Sequence, residues 1–152
     1  MSWFRLATAY EQAGDGRQAE RAYASAEKAG LSAPEFYNNY GLVALNHGDL
    51  ALAAERFRRA VTLNPSYGAA LANLAEVYMR QESWDLAAAA YLNAADAVHE
   101  REAEFLTNAG VIYQRLGHTV SARAAFERAL SVRPDFELAA EALRSLGPER
   151  SR

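Results

Sequence analysis

Asn39, Asn73 and Asn108 stand 34 and 35 residues apart, and each is followed two positions later by a small residue, Gly41, Ala75 or Gly110. A carboxamide carries a donor and an acceptor together, the pair that meets the N–H and C=O of an extended backbone. Asparagine is a mediocre helix residue, so propensity does not account for three copies at one spacing. Hydrogen bonding to another main chain is the chemistry these residues could do, and hydrogen bonding between neighbouring helices is the alternative. Other chemistry finds no support. His47, His99 and His118 fall at turns or helix ends, without a neighbouring ligand set that would complete a metal site. Gly14-Asp15-Gly16 lacks the following Lys-Ser/Thr of a phosphate loop, and a helix stop explains its glycines. No nucleophile, base and orienting group fall together, so neither catalysis nor a cofactor is expected of this chain.

Asparagines at one spacing need a repeated element to carry them. The slot of Gly41 recurs as Ala7, Ala75 and Gly110, and a second slot reads Ala19, Ala53, Ala87 and Ala122. One helical turn later stand Tyr23, Phe57, Tyr91 and Phe126, then Ala26, Ala60, Ala94 and Ala129. Apolar residues within each copy recur at three and four, the spacing of one helix face. Gly14, Gly48 and Gly117 fall midway, where a helix ends in a left-handed residue, and Asp15, Asp49 and Ser83 follow as N-caps of a second helix. Asp15 with Gln18, and Ser32 with Glu35, fit the capping box. Each copy therefore reads as helix, tight turn, helix, with Ala53 facing Gly41 where the two cross and the aromatic filling the space between hairpins.

The copies run about 1–33, 34–67, 68–102 and 103–136, the one extra residue falling in a connection near Glu102. Asp135 can cap a last helix over 136–146, with Leu138 and Leu143 inward and Glu137, Glu141 and Arg144 outward, before Gly147-Pro148 stops it. Residues 1–147 thus form one domain and 148–152 a tail.

These slots resemble the tetratricopeptide repeat, whose pattern is W-x-x-L-G-x-x-Y, A-x-x-x-F and a closing P. Trp3-x-x-Leu6-Ala7-x-x-Tyr10 opens the first copy, and Pro65 and Pro134 close the second and fourth, with Leu31 and His99 standing in the others. The resemblance covers nearly the whole chain. It implies an all-α, right-handed α-solenoid of four tandem helix-turn-helix repeats plus a C-terminal capping helix, with the first helices lining a concave face.

On that face Asn39, Asn73 and Asn108 resemble the asparagine ladder along the peptide groove of O-linked N-acetylglucosamine transferases, broken here at Arg5 and Ala142. Around the rungs the same face offers Phe4, Thr8, Leu42, Leu45 and Met79, which could receive apolar side chains or a further N-terminal segment, then Glu76, Arg80, Thr107, Gln114 and Arg115. Repeats that clamp the C-terminal carboxylate of heat-shock chaperones use Lys, Asn, Asn, Lys and Arg. Those slots, counted from the second copy, hold Asn38, Leu42, Asn73, Glu104 and Asn108, and Glu104 would repel a carboxylate.

Composition bounds the remaining classes. At 152 residues with 51% hydrophobic content the chain can bury a continuous core. A net charge of -3 and a pI near 5.6 argue against a nucleic-acid footprint, and Arg56, Arg58 and Arg59 read as a solvated outer face beside Glu55. Trp3 and Trp84 occupy packing slots. No run of apolar residues is long enough to span a membrane, so the chain is expected to be soluble, cytoplasmic rather than exported, with no direct membrane insertion. Zero cysteines exclude disulfides and thiolate chemistry.

The expected function is that of an interaction scaffold or adaptor holding an extended peptide or a helix of a partner protein. The groove residues are Asn39, Asn73, Asn108, Leu42, Leu45, Met79, Arg80 and Arg115. Two alternatives stay open: homo-oligomerisation through a first repeat that lacks a polar cap, and service as the regulatory or substrate-recruiting arm of a larger enzyme.

Overall fold

Stretches rich in alanine, leucine and other good helix formers, punctuated by glycine, proline and capping residues, set the elements. The computed structural model describes residues 3–147. Over them run α1 (Trp3–Gln12), α2 (Gly16–Lys28), α3 (Pro34–Asn46), α4 (Leu50–Leu63), α5 (Gly68–Arg80), α6 (Trp84–Ala97), α7 (Glu102–Arg115), α8 (Thr119–Val132) and α9 (Glu137–Ser145). A short 3₁₀ turn, His99–Arg101, precedes α7 and takes up the extra residue near Glu102. Helices pack in pairs, α1 on α2 through α7 on α8, and each pair packs on the next. The fold is an all-α solenoid.

Local chemistry explains most of the helix ends. Asp15 accepts a hydrogen bond from the Gln18 N–H at 3.3 Å and Asp49 from the Leu52 N–H at 2.9 Å, capping α2 and α4. Ser83 holds the N-cap position of α6 without a side-chain bond. Two capping expectations are corrected. Ala33, not Ser32, is the N-cap of α3, because Pro34 at the first helical position presets the backbone and dispenses with a side-chain acceptor. Phe136, not Asp135, is the N-cap of α9, which begins one residue later than expected. The first helices of three hairpins end in Gly14, Gly48 and Gly117 at φ 74, 80 and 76, whereas Glu82 fills that place in the third at φ 56.

The recurring small and aromatic slots meet in the core. A Cβ built on Gly41 would lie 2.6 Å from Phe57 Cε1, and one on Gly110 2.4 Å from Phe126 Cε1, so glycine there is the space the ring occupies. Phe57 and Phe126 are wholly buried, and truncating such a ring to alanine typically costs about 3–5 kcal/mol. Repeats one and three place alanine in the same slot and tyrosine, Tyr23 and Tyr91, in place of phenylalanine.

Two packing expectations fail. Trp3 is 49% exposed although Tyr37, Leu71 and Leu106 in the equivalent slot are buried, because the later slots pack on a preceding hairpin and none is described before α1. Leu138 is 63% exposed, and Ala139 is the buried residue of α9. Leu138 and Leu143 are five residues apart, about 140° around a helix, so they cannot share a face, whereas Ala139, Ala142 and Leu143 at three-and-four spacing do, and these are buried or half-buried. Glu137, Glu141 and Arg144 do face outward. Gln114 Nε2 donates to Ser145 Oγ at 3.1 Å, and Phe136 packs with Leu106 and Ala129, which fastens α9 over the last hairpin.

Candidate functional site

Equivalent positions on α3, α5 and α7 form a stripe of four residues at spacings of four, three and four, which keeps each set on one helix face. The stripes read Glu35, Asn39, Leu42, Asn46 on α3; Ala69, Asn73, Glu76, Arg80 on α5; and Glu104, Asn108, Val111, Arg115 on α7. All three asparagines are half-buried.

Among the described residues only the middle amide of the three is engaged. Asn73 Nδ2 donates to Asn38 Oδ1 at 2.9 Å, joining α5 to α3. The residues that stand to Asn39 and Asn108 as Asn38 stands to Asn73 are Phe4 and Ala72, which carry no amide. Among the described residues the side chains of Asn39 and Asn108 accordingly make no hydrogen bond. Asn38 itself is 94% buried, exposing 6% of its surface, so its carbonyl depends on Asn73. Sequence reasoning missed Asn38 as a bonding partner, since its own slot continues as Ala72 and Thr107 and shows no pattern. Thr107 is buried and donates to the Ala103 carbonyl of its own helix at 2.7 Å, so it faces no ligand.

Of the other expected groove residues, Leu45 is corrected. It is 5% exposed and packs with Ala44, Ala53, Phe57 and Leu74, because it lies on the side of α3 that meets α4 and α5. Leu42 is half-buried against the same cluster, and Met79 is 36% exposed. Val111, half exposed at 50%, joins them; its slot is that of Leu42 and Glu76, a register signal that could have found it. Arg80 is exposed and ion-paired with Glu76 one turn earlier. Arg115 lies over the Trp84 ring, its guanidinium carbon 4.2 Å from the centroid, so Trp84 packs and also serves as a platform.

Charge along this face is largely neutralised from within. Arg101 donates to Glu104 through Nε at 3.0 Å and Nη2 at 2.5 Å, and those bonds hold the Glu104 carboxyl below its ordinary range against the opposing effect of burial. Burial, reinforced by the charge and hydrogen bond of Glu11, pushes the Tyr23 hydroxyl up. The arginines of α4 are not uniformly solvated. Arg58 and Arg59 are exposed, but Arg56 is half-buried, pairs with Glu27 at 2.8 Å and stacks 4.7 Å from the Tyr40 ring, tying α4 to α2 and α3. The three histidines are exposed at turns, His99 lying 3.4 Å from Glu102. No helix among the described residues is long and apolar enough to cross a membrane.

Two family models, each described as a tetratricopeptide repeat, match residues 4–68 and 66–135. A search of curated proteins by sequence finds no match. Among solved structures the chain is similar to MamA, with a TM-score of 0.79 at 22% identity over 95% of this chain and 78% of that one. It is similar as well to YrrB, described as a TPR protein with an unusual peptide-binding site, with a TM-score of 0.73 at 21% identity over 93% of this chain and 73% of that one. A tetratricopeptide repeat protein from Parabacteroides merdae gives a TM-score of 0.80 at 20% identity, over 95% of this chain and 57% of that one.

Proposed function

The chain belongs to the tetratricopeptide repeat family, and on that premise we propose that it is a non-catalytic binding module, an adaptor or scaffold that holds an extended segment or a helix of a partner protein along the faces of α3, α5 and α7. The observation that carries this is the pair of half-buried, unbonded amides of Asn39 and Asn108. An amide left without a protein partner in a half-buried position gains from an incoming backbone that supplies both donor and acceptor. The likeness to YrrB, whose description names a peptide-binding site, supports the reading.

Panning a library of random twelve-residue peptides against the chain tests it. Two bonds per amide at about 0.5–1.5 kcal/mol each contribute roughly 2–6 kcal/mol, so Asn39→Ala with Asn108→Ala should weaken selected peptides at least about thirtyfold. Melting should stay unchanged, because alanine is the better helix former. Selected peptides that bind the double variant as well as the original chain would overturn the proposal. The half-exposed Trp3 favours a second reading, self-association through α1, and a mass by light scattering that stays monomeric as concentration rises would remove it.

A further inference from the structure

On α5, Arg80 finds its carboxylate one turn back on its own helix, at Glu76. On α7 the equivalent arginine is Arg115, and the slot one turn back holds Val111. Valine supplies no charge, so Arg115 lacks the partner its counterpart has. Glu82 and Asp85, which flank Trp84 in sequence, do not take that place: among the described residues Arg115 forms no ion pair and no hydrogen bond. Its guanidinium is nevertheless positioned, because stacking at 4.2 Å on the Trp84 ring covers one face of the plane and leaves the N–H fork along the edge available. Val111, half exposed, stands one turn back on the same face, its Cβ about 5–6 Å from that of Arg115.

We propose that Arg115 is a seat for an acidic side chain of the bound segment, and that Val111 receives the aliphatic side chain next to that acid. The incoming carboxylate takes the position relative to Arg115 that Glu76 takes relative to Arg80. The bidentate fork favours a carboxylate over an amide, and the apolar surface of Val111 and Trp84 lowers the local polarity that would otherwise screen the pair. This rests on the groove reading above and adds to it the side-chain chemistry of the ligand. It is distinct from the chaperone-tail clamp, which draws on slots that hold Glu104 and Asn108 here.

The same random twelve-residue library, panned against the chain and against Arg115→Gln, decides the matter. Peptides selected on the original chain should be enriched in Asp or Glu adjacent to Val, Leu, Ile or Met, and that enrichment should vanish with Arg115→Gln. Changing the acid of a selected peptide to its amide should weaken binding to the original chain about tenfold at low salt and leave binding to Arg115→Gln unaltered. Val111→Glu, which gives α7 the internal pair of α5, should remove the acid preference in the same way. Trp84→Leu, which copies Leu50 of the second repeat, keeps the charge without its platform and should give an intermediate loss. Peptides sensitive to the Asn39 and Asn108 variants but indifferent to the acid would overturn the seat and leave the groove standing. Peptides indifferent to all these variants, or none selected, would overturn both.

Discussion

Glu82 is the turn residue that glycine supplies in the other three hairpins, and its φ of 56 places a non-glycine residue in the left-handed region. For an L-residue that conformation costs roughly 1–2 kcal/mol, because Cβ crowds the neighbouring carbonyl. Glycine removes the crowding but adds roughly 0.5–1 kcal/mol of unfolded-chain entropy to be lost on folding. Glu82→Gly should therefore stabilise the fold by about 0.5–1 kcal/mol, an upward melting shift of about 1–4 °C for a domain of this size. The reciprocal change separates conformation from packing. A Cβ on Gly48 would meet nothing within 4 Å, so Gly48→Ala introduces left-handed strain without a clash and should destabilise by about the same amount. Differential scanning calorimetry on the two variants and on Glu82→Ala, which keeps the strain, gives the comparison. If Glu82→Gly melts no higher than Glu82→Ala, backbone strain at this turn is refuted.

Three further outcomes follow from the packing and the ionisable groups. Gly41→Ala gains about 1 kcal/mol of helix propensity but sets a methyl 2.6 Å from the buried Phe57 ring, an overpacking cost of about 1–3 kcal/mol, so urea unfolding should show a net loss; a more stable variant would mean the ring shifts freely. Asn73→Ala strands the buried Asn38 carbonyl and should cost about 1–3 kcal/mol, whereas the double change to alanine at Asn38 and Asn73 should cost less than the two single changes added; strict additivity in the cycle would deny the bond. Tyr23 is held protonated in the fold by burial and Glu11, so the unfolded chain releases its proton first and stability should fall as pH rises above about 10; Tyr23→Phe, the residue of the second and fourth repeats, should flatten that decline, and an unchanged alkaline slope would refute it.

The architecture was legible because its signals are local and repeat four times. Glycine ends, aspartate caps and the pairing of a small slot with an aromatic slot each arise within one hairpin, and a copy that lacks one signal is corrected by its neighbours. Where a single residue decides, the reading slipped. α9 begins at Glu137 with Phe136 as its N-cap, and Leu138 faces outward because it stands five residues from Leu143, which puts the two on different sides of the helix. Leu45 and Val111 exchange roles for a similar reason. Both lie on first helices but in different slots, Leu45 on the side of α3 that meets α4 and α5 and Val111 in the more open slot of Leu42 and Glu76. The asparagines themselves were visible as a register. Their difference was not, because it depends on what stands one residue off the register in the preceding first helix.

That difference shapes what the face can hold. Asn73 is satisfied within the fold by Asn38, so its rung is partly closed, while Asn39 one repeat before and Asn108 one repeat after remain unbonded. α5 stands between α3 and α7 in the order of first helices, so the hairpin that carries Asn73 separates Asn39 from Asn108. An extended strand advances about 3.3 Å per residue, so on the proposed reading the two unbonded amides meet main-chain groups several residues apart. On that reading the face grips at two separated points, with the proposed carboxylate seat of Arg115 beyond the second. Once one amide is engaged, the other meets its group at the effective concentration set by the intervening chain, and only a segment long enough to reach both gains that advantage. Shortening a selected peptide from the end away from its acid should leave affinity nearly constant until the segment no longer reaches both amides and then drop it steeply, in proportion to the loss of one whole grip. A gradual decline, residue by residue, would instead mean that Asn73 is engaged by the ligand as fully as its neighbours and that the Asn38 bond yields on binding.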